Sequence, residues 1–177
     1  ISCPNVKEGG MAFGTDAKMV EKVTKSVKRA AKVPLIVKLS PNVTDIAEMA
    51  RAAEAGGADA VSLINTLLGM KIDINTRKPA LKNNMGGLSG PAVMPIAVRM
   101  VYQVRQAVKL PIIGMGGITT AEDAIEFFLA GANAVAVGTA GLVDPYAWIK
   151  VRNGIGDYLD KNGFASINDI VGKVEMN

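Results

Sequence analysis

The chain contains no histidine and a single cysteine, Cys3, so a general base must be a carboxylate, a lysine, a tyrosine or that thiol. Cys3 stands in "ISCPNVKEGG", between a hydroxyl residue and a Pro-Asn turn. A free cysteine packs like a small hydrophobe, and inert filler is the plain alternative to a reactive thiol. Position favours chemistry: Asp and Glu fall mostly on helical patterns, whereas Cys3 and Asn5 would follow a strand ending near residue 1. A thiol with an ordinary pKa of about 8.5 is only slightly ionised at neutral pH, so proton abstraction would gain from a nearby cation such as Lys38.

Lys38 interrupts the apolar run "LIVKLS". Lysine is rarely buried without a partner, so its ammonium is expected to reach a ligand at the strand's C-terminal end. It could act there as a Schiff-base amine or stabilise developing negative charge. Asn65 ends a second apolar run, followed by Thr66. Asn5, Asn42, Asn83 and Asn84 add neutral donors and acceptors suited to a planar, amide-rich molecule, although each is equally at home in a turn. "GMGGITTAED" and "AVGTAGLVDP" suggest a second kind of site. A strand running into Gly-Gly ahead of a capped helix offers unobstructed N–H groups and a positive helix dipole. Gly116, Gly117, Gly138 and Thr139 are therefore expected to line one phosphate cup; the alternative is glycines that merely end strands tightly. "GMGGIT" departs from the G-x-G-x-x-G dinucleotide pattern.

These residues need a scaffold. Four β-branched runs, 34–40, 60–65, 111–117 and 134–139, read as strands buried on both faces of a parallel sheet. Helical patterns separate them. One has Thr44 or Asp45 as N-cap, Glu48 in capping-box spacing from Asp45, and a stop at Gly56-Gly57; another pairs Thr119 with Glu122 and stops at Gly131. A third begins with Pro91 near its first turn. "EAGGADAVSLIN" and "LAGANAVAVGT" repeat one phrase of helix, Ala-Gly, loop and strand. Polar or glycine residues close each strand, as on the functional face of a TIM (β/α)8 barrel, which takes about 250 residues. The 177 residues begin with Ile and hold four clear strands plus a stub. The expectation is an α/β chain, residues 1–177, forming the C-terminal half of one barrel domain, from the end of strand 4 through strand 8 and closing helices, with its N-terminal half absent. The link from Thr66 to Pro91 is too long for a plain connection; "KIDIN" within it could be a small extra strand, and the whole a flap or interface over the site.

Composition excludes several classes. One cysteine without histidine gives no disulfide, iron–sulfur cluster or Cys/His zinc site, so no metal is expected. The longest apolar stretches are strand-sized and nothing looks secretory, which makes the cytoplasm the default. A net charge of +4 raises nucleic acid as a partner. The basic run "KSVKRAAK" reads instead as the solvated face of a helix over Asp16–Lys32, whose apolar residues are Met19, Val20, Val23, Val27, Ala30 and Ala31. It lacks the interleaved aromatics that stack bases.

"ISCPNVKEGGMAFGTD", "PLIVKLSPNVTDI", "LINTLLGM", "GGLSGPA", "VYQV", "PIIGMGGI" and "AVAVGTAGLVDPYA" together resemble the dihydroorotate dehydrogenases, in particular their class 1B branch. The resemblance runs almost from end to end. It implies an FMN-containing TIM barrel, one FMN per subunit, that oxidises (S)-dihydroorotate to orotate in pyrimidine biosynthesis. On that likeness Cys3 corresponds to the base that removes the C5 proton while hydride leaves C6 for the flavin; class 2 enzymes carry serine there. Asn5, Asn65 and Thr66 correspond to residues that bind the pyrimidine. Lys38 would lie beside the flavin ring, Ile64 and Gly90 would line it, and Gly116, Gly117, Gly138 and Thr139 would hold its phosphate. The class 1B likeness also implies a homodimer within a heterotetramer, whose partner subunit carries FAD and [2Fe–2S] and passes electrons to NAD. Met85, where many relatives have a small hydroxyl residue, departs from the pattern. So does the missing first half, which supplies a further lysine, further asparagines and part of the FMN site; the fragment alone is expected to be inactive. A tRNA dihydrouridine synthase would carry a basic RNA-binding extension not found here. A catalytically silent flavin- or phosphate-binding barrel and a flavin-free phosphate-ester lyase or isomerase are the remaining alternatives.

Overall fold

A computed structural model of the protein describes residues 1–3 and 11–177, so Asn5 lies outside the described residues. A short turn of helix, α1 (Met11–Gly14), precedes α2 (Ala17–Ala30). Asp16 caps α2 by accepting the N–H groups of Lys18 and Met19. Its inner face is narrower than the spacing predicts: Val20 and Thr24 are buried against α3, whereas Val27 is 46% exposed. The chain then alternates: β1 (Ile36–Lys38), α3 (Ile46–Ala55), β2 (Ala60–Leu63), a long excursion, α4 (Met94–Ala107), β7 (Ile112–Met115), α5 (Ala121–Ala130) and β8 (Ala134–Ala136). Two helices follow, α6 (Ala140–Val143) and α7 (Ala147–Asn162).

β1, β2, β7 and β8 form one parallel sheet in that spatial order, with Lys38 opposite Ser62, Leu63 opposite Gly114 and Met115 opposite Ala136. Strand order follows chain order without reversal. A doubly wound sheet reverses at a switch point, so this succession is that of a partial TIM barrel. The helices form an arc outside it: α2 touches α3, α3 touches α4, α4 touches α5, and α5 touches α7. Val61, Leu63 and Ile112 of the sheet are fully buried with Ala53, Val101, Val104 and Phe127 of the helices.

The repeated sequence phrase has a structural counterpart. The Asp59 carboxylate accepts the Leu35 N–H at 2.6 Å while the Asp59 N–H donates to the Leu35 carbonyl at 2.9 Å. Asn133 does the same two units later, accepting from Ile112 N–H at 3.0 Å and donating to its carbonyl at 2.8 Å. Each residue ties the entry of its own strand to the entry of the preceding one. The Leu35 N–H and then the Lys28 ammonium hold the Asp59 carboxyl below its ordinary value.

Helix ends differ from expectation in detail. Asp45 caps α3 by accepting Ala47 and Glu48 N–H, without a return bond from Glu48. The capping box of α5 lies one residue later than predicted, between Thr120 and Asp123, because Thr120 is the last extended residue. Thr119 instead donates its N–H and hydroxyl to Asp123. Gly131 ends α5 in the left-handed region, as its spacing implies.

The excursion between β2 and α4 is a pair of hairpins. β3 (Leu67–Gly69) pairs antiparallel with β6 (Gly86–Leu88), and β4 (Ile72–Asp73) with β5 (Lys78–Pro79). "KIDIN" thus contributes one short strand. Leu68, Met70, Ile72, Ile74, Leu81 and Leu88 are all exposed on this projection.

Candidate functional site

A cavity of about 500 Å³ opens at the C-terminal ends of the four parallel strands. β1 contributes Lys38, and the segment after β2 contributes Ile64, Asn65 and Thr66. Met115, Gly116 and Gly117 arrive from the end of β7, and Ala136 to Thr139 from that of β8. The hairpin base closes one side with Leu88, Ser89 and Gly90. Parallel strands bring residues far apart in sequence to one rim because every crossover returns the chain in the same direction.

At one end of the cavity polar side chains are held by one another. Asn65 Nδ2 donates to Ser2 Oγ at 3.0 Å, and Asn65 Oδ1 accepts the Thr66 N–H at 2.7 Å. Ser2 is buried, so the residue preceding Cys3 is fastened to Asn65. Cys3 itself is half-buried and does not line the cavity among the described residues. Lys38 lines it but is exposed, on an outer strand with one sheet neighbour. Of the three residues of β1 only Val37 is buried in this chain.

The other end is glycine-rich. Gly116 and Gly117 have φ of +126° and +86°, a region open to glycine and strained for other residues. A Cβ on Gly117 would also meet Met94 Cβ at 2.7 Å. Gly138 is different: its φ is not left-handed and an added Cβ would meet nothing within 4 Å. Neither backbone nor packing in this chain requires glycine there, and its backbone faces open space. Thr139 donates its hydroxyl to Ser89 Oγ at 2.9 Å.

Several contributors were not singled out from sequence. Ser2 and Ser89 give no local signal, since serine is common in any loop. Asp144, Ala147 and Lys150 also line the cavity, although the tail carries no catalytic pattern. Lys150 donates to Asp144 Oδ2 at 2.6 Å, and with the Tyr146 N–H it holds the Asp144 carboxyl below its ordinary value. Asn83, Asn84 and Met85 lie on an exposed turn outside the cavity lining, Asn84 with φ of +65°. Among the described residues no group of three or more acidic, cysteine or histidine side chains could hold a metal, and no helix is long and apolar enough to cross a membrane.

The sequence pattern of the family described as Dihydroorotate dehydrogenase matches residues 1–159. The chain is 66% identical over 175 residues to "Dihydroorotate dehydrogenase B (NAD(+)), catalytic subunit" of Lachnoclostridium phytofermentans, covering 99% of this chain and 58% of that protein. It is 60% identical over 177 residues to "Dihydroorotate dehydrogenase A (fumarate)" of Lactobacillus delbrueckii subsp. bulgaricus, again covering 58% of that protein. The chain thus spans somewhat over half the length of these curated relatives. Its fold is similar to that of a dihydroorotate dehydrogenase from Eimeria tenella solved with ferulenol, with a TM-score of 0.79 at 23% identity, over 97% of this chain and 51% of that one.

Proposed function

The chain belongs to the dihydroorotate dehydrogenase family, and on that premise we propose that it forms the C-terminal half of a barrel that oxidises (S)-dihydroorotate to orotate with FMN. The observation that carries this reading is one cavity joining a lysine, an asparagine and a threonine at one end to four residues of a glycine-rich cup at the other. The residues fit a flavin mononucleotide. Gly138 leaves backbone facing a space that the chain's own packing does not use, as close approach of a phosphate requires.

FMN, when bound, supplies a hydride acceptor. Gly116, Gly117, Gly138 and Thr139 would hold its phosphate through backbone N–H groups, with the Thr139 hydroxyl bonded to Ser89. Ile64 and Gly90 would line its ring system, and the Lys38 ammonium would lie beside it. Asn65 and Thr66, with Asn5, bind the pyrimidine. Cys3 takes the proton from C5 of dihydroorotate, which balances the hydride lost from C6. Electrons would pass on to NAD through a second subunit, as the words NAD(+) and catalytic subunit in the name of the 66% identical relative support; FAD and [2Fe–2S] on that subunit would carry them. The exposed apolar side chains of the hairpins support their burial in a homodimer within that heterotetramer. The setting is the cytoplasm, and the reaction serves pyrimidine biosynthesis.

Anaerobic absorbance titration of the full-length protein with dihydroorotate tests the reading. Bleaching of a yellow flavin spectrum is expected. A flavin that stays oxidised would remove the substrate assignment, and a folded colourless protein would remove the cofactor as well.

Gly138→Val separates the cup from the fold. A Cβ added there meets nothing within 4 Å in this chain. The expected outcome is a melting temperature of the flavin-free protein within about 2 °C of the parent, since surface changes are usually within about 0.5 kcal/mol. FMN affinity should fall at least tenfold by fluorescence titration. Unchanged affinity would place the phosphate elsewhere.

A further inference from the structure

Asn42 follows β1 on a loop and does not line the cavity, yet its amide is bonded on both sides to the segment that does. Asn42 Nδ2 donates to the Thr66 carbonyl at 3.1 Å, and Asn42 Oδ1 accepts the Leu68 N–H at 2.8 Å. These are the groups of residues two apart on one extended edge, so the side-chain amide engages that edge as a neighbouring strand would. The amide is itself fixed. Ser40, fully buried, accepts from both Asn42 N–H and Asn42 Nδ2 at 3.2 Å through its hydroxyl oxygen. Backbone bonding alone leaves this junction thin: Asn65 N–H reaches the Leu39 carbonyl at 3.2 Å, and the β3–β6 ladder starts only at Leu67.

We infer that Asn42 is a positioning residue for pyrimidine recognition, locking the Thr66–Leu68 backbone so that Asn65 and Thr66 present their polar groups in one orientation. The inference rests on the proposed role of Asn65 and Thr66 as the substrate-binding pair. Removing the amide leaves a carbonyl and an N–H without their partner and frees the backbone between β2 and β3. The loss therefore falls on substrate binding, not on the flavin cup, whose residues come from β7, β8 and the loop before α4.

The test uses full-length, FMN-loaded protein and two variants, Asn42→Ala and Asn42→Asp. Asn42→Asp keeps an acceptor for Leu68 N–H but has no donor for the Thr66 carbonyl. Orotate affinity is read from perturbation of the flavin spectrum, alongside FMN content and the kcat and KM for dihydroorotate. Both variants are expected to retain FMN. Orotate Kd and dihydroorotate KM should each rise about tenfold, with kcat within about threefold of the parent. Asn42→Asp should not restore binding. Orotate affinity within twofold of the parent in Asn42→Ala overturns the inference. So does loss of FMN from both variants, which would make Asn42 a general support of the barrel. Failure of the parent itself to bind orotate would instead overturn the substrate reading and the inference with it.

Discussion

Replacing Cys3 by serine in the full-length protein is expected to slow reduction of its flavin by dihydroorotate by a factor of about 10² to 10⁴ at neutral pH. The chain has no histidine, and Cys3 follows the residue fastened to Asn65 through the 3.0 Å bond to Ser2. Serine keeps the size but holds its proton far more tightly than a thiol, so too little alkoxide exists near pH 7 to act as base. The rate of the variant should therefore climb as pH rises and more alkoxide forms. Stopped-flow absorbance under anaerobic conditions reads both quantities. Orotate affinity and FMN content should stay close to those of the parent, because serine keeps the size of the side chain and leaves Asn65, Thr66 and the glycine cup in place. A loss below threefold would remove Cys3 as the base and return it to the role of a packed filler.

Lys38→Ala is expected to have the next largest effect, a fall of about 10² to 10³ in the flavin-reduction rate. No described hydrogen bond or ion pair engages the Lys38 ammonium within these 177 residues, so its removal breaks no polar contact of this part of the barrel. Its position at the end of β1, opposite Ser62 and on the cavity rim, is what gives the charge a task. Reduction places negative charge on the acceptor, and a fixed cation stabilises that charge more than it stabilises the neutral starting state. Arginine should not rescue, since a planar fork differs from a compact ammonium in reach and hydration. Lys38→Arg recovering full rate, or Lys38→Ala losing less than threefold, would show that the charge is not used.

Much of this site was legible before any coordinates. Gly116-Gly117 and Gly138-Thr139 stood out because each closes a β-branched run and opens a helix, a local pattern with few uses. Asn65 stood out because a polar residue ending a buried strand needs a reason. Ser89, Asp144 and Lys150 were not legible, because hydroxyl and charged residues in loops and helix starts carry no signal until another element faces them. Asn42 was visible only as one turn-forming asparagine among several. Its separation from the others depends on two backbone groups 24 and 26 residues away. Asn5 lies outside the described residues, and its role rests on the family resemblance alone.

The sequence by itself determined the alternation of strand and helix, the strand ends that carry polar residues, and the lack of histidine among these 177 residues. These follow from local periodicity and composition, which act over a few residues. Only the tertiary structure decided that the strands run in unbroken order and that the long excursion folds into two hairpins. It also decided where the capping box of α5 falls, because hydrogen bonds from Thr119 and Thr120 converge on Asp123. Such features arise from contacts between segments distant in the chain. Their energies depend on how crossovers bring backbone edges and side chains together, and no short window of residues encodes that meeting.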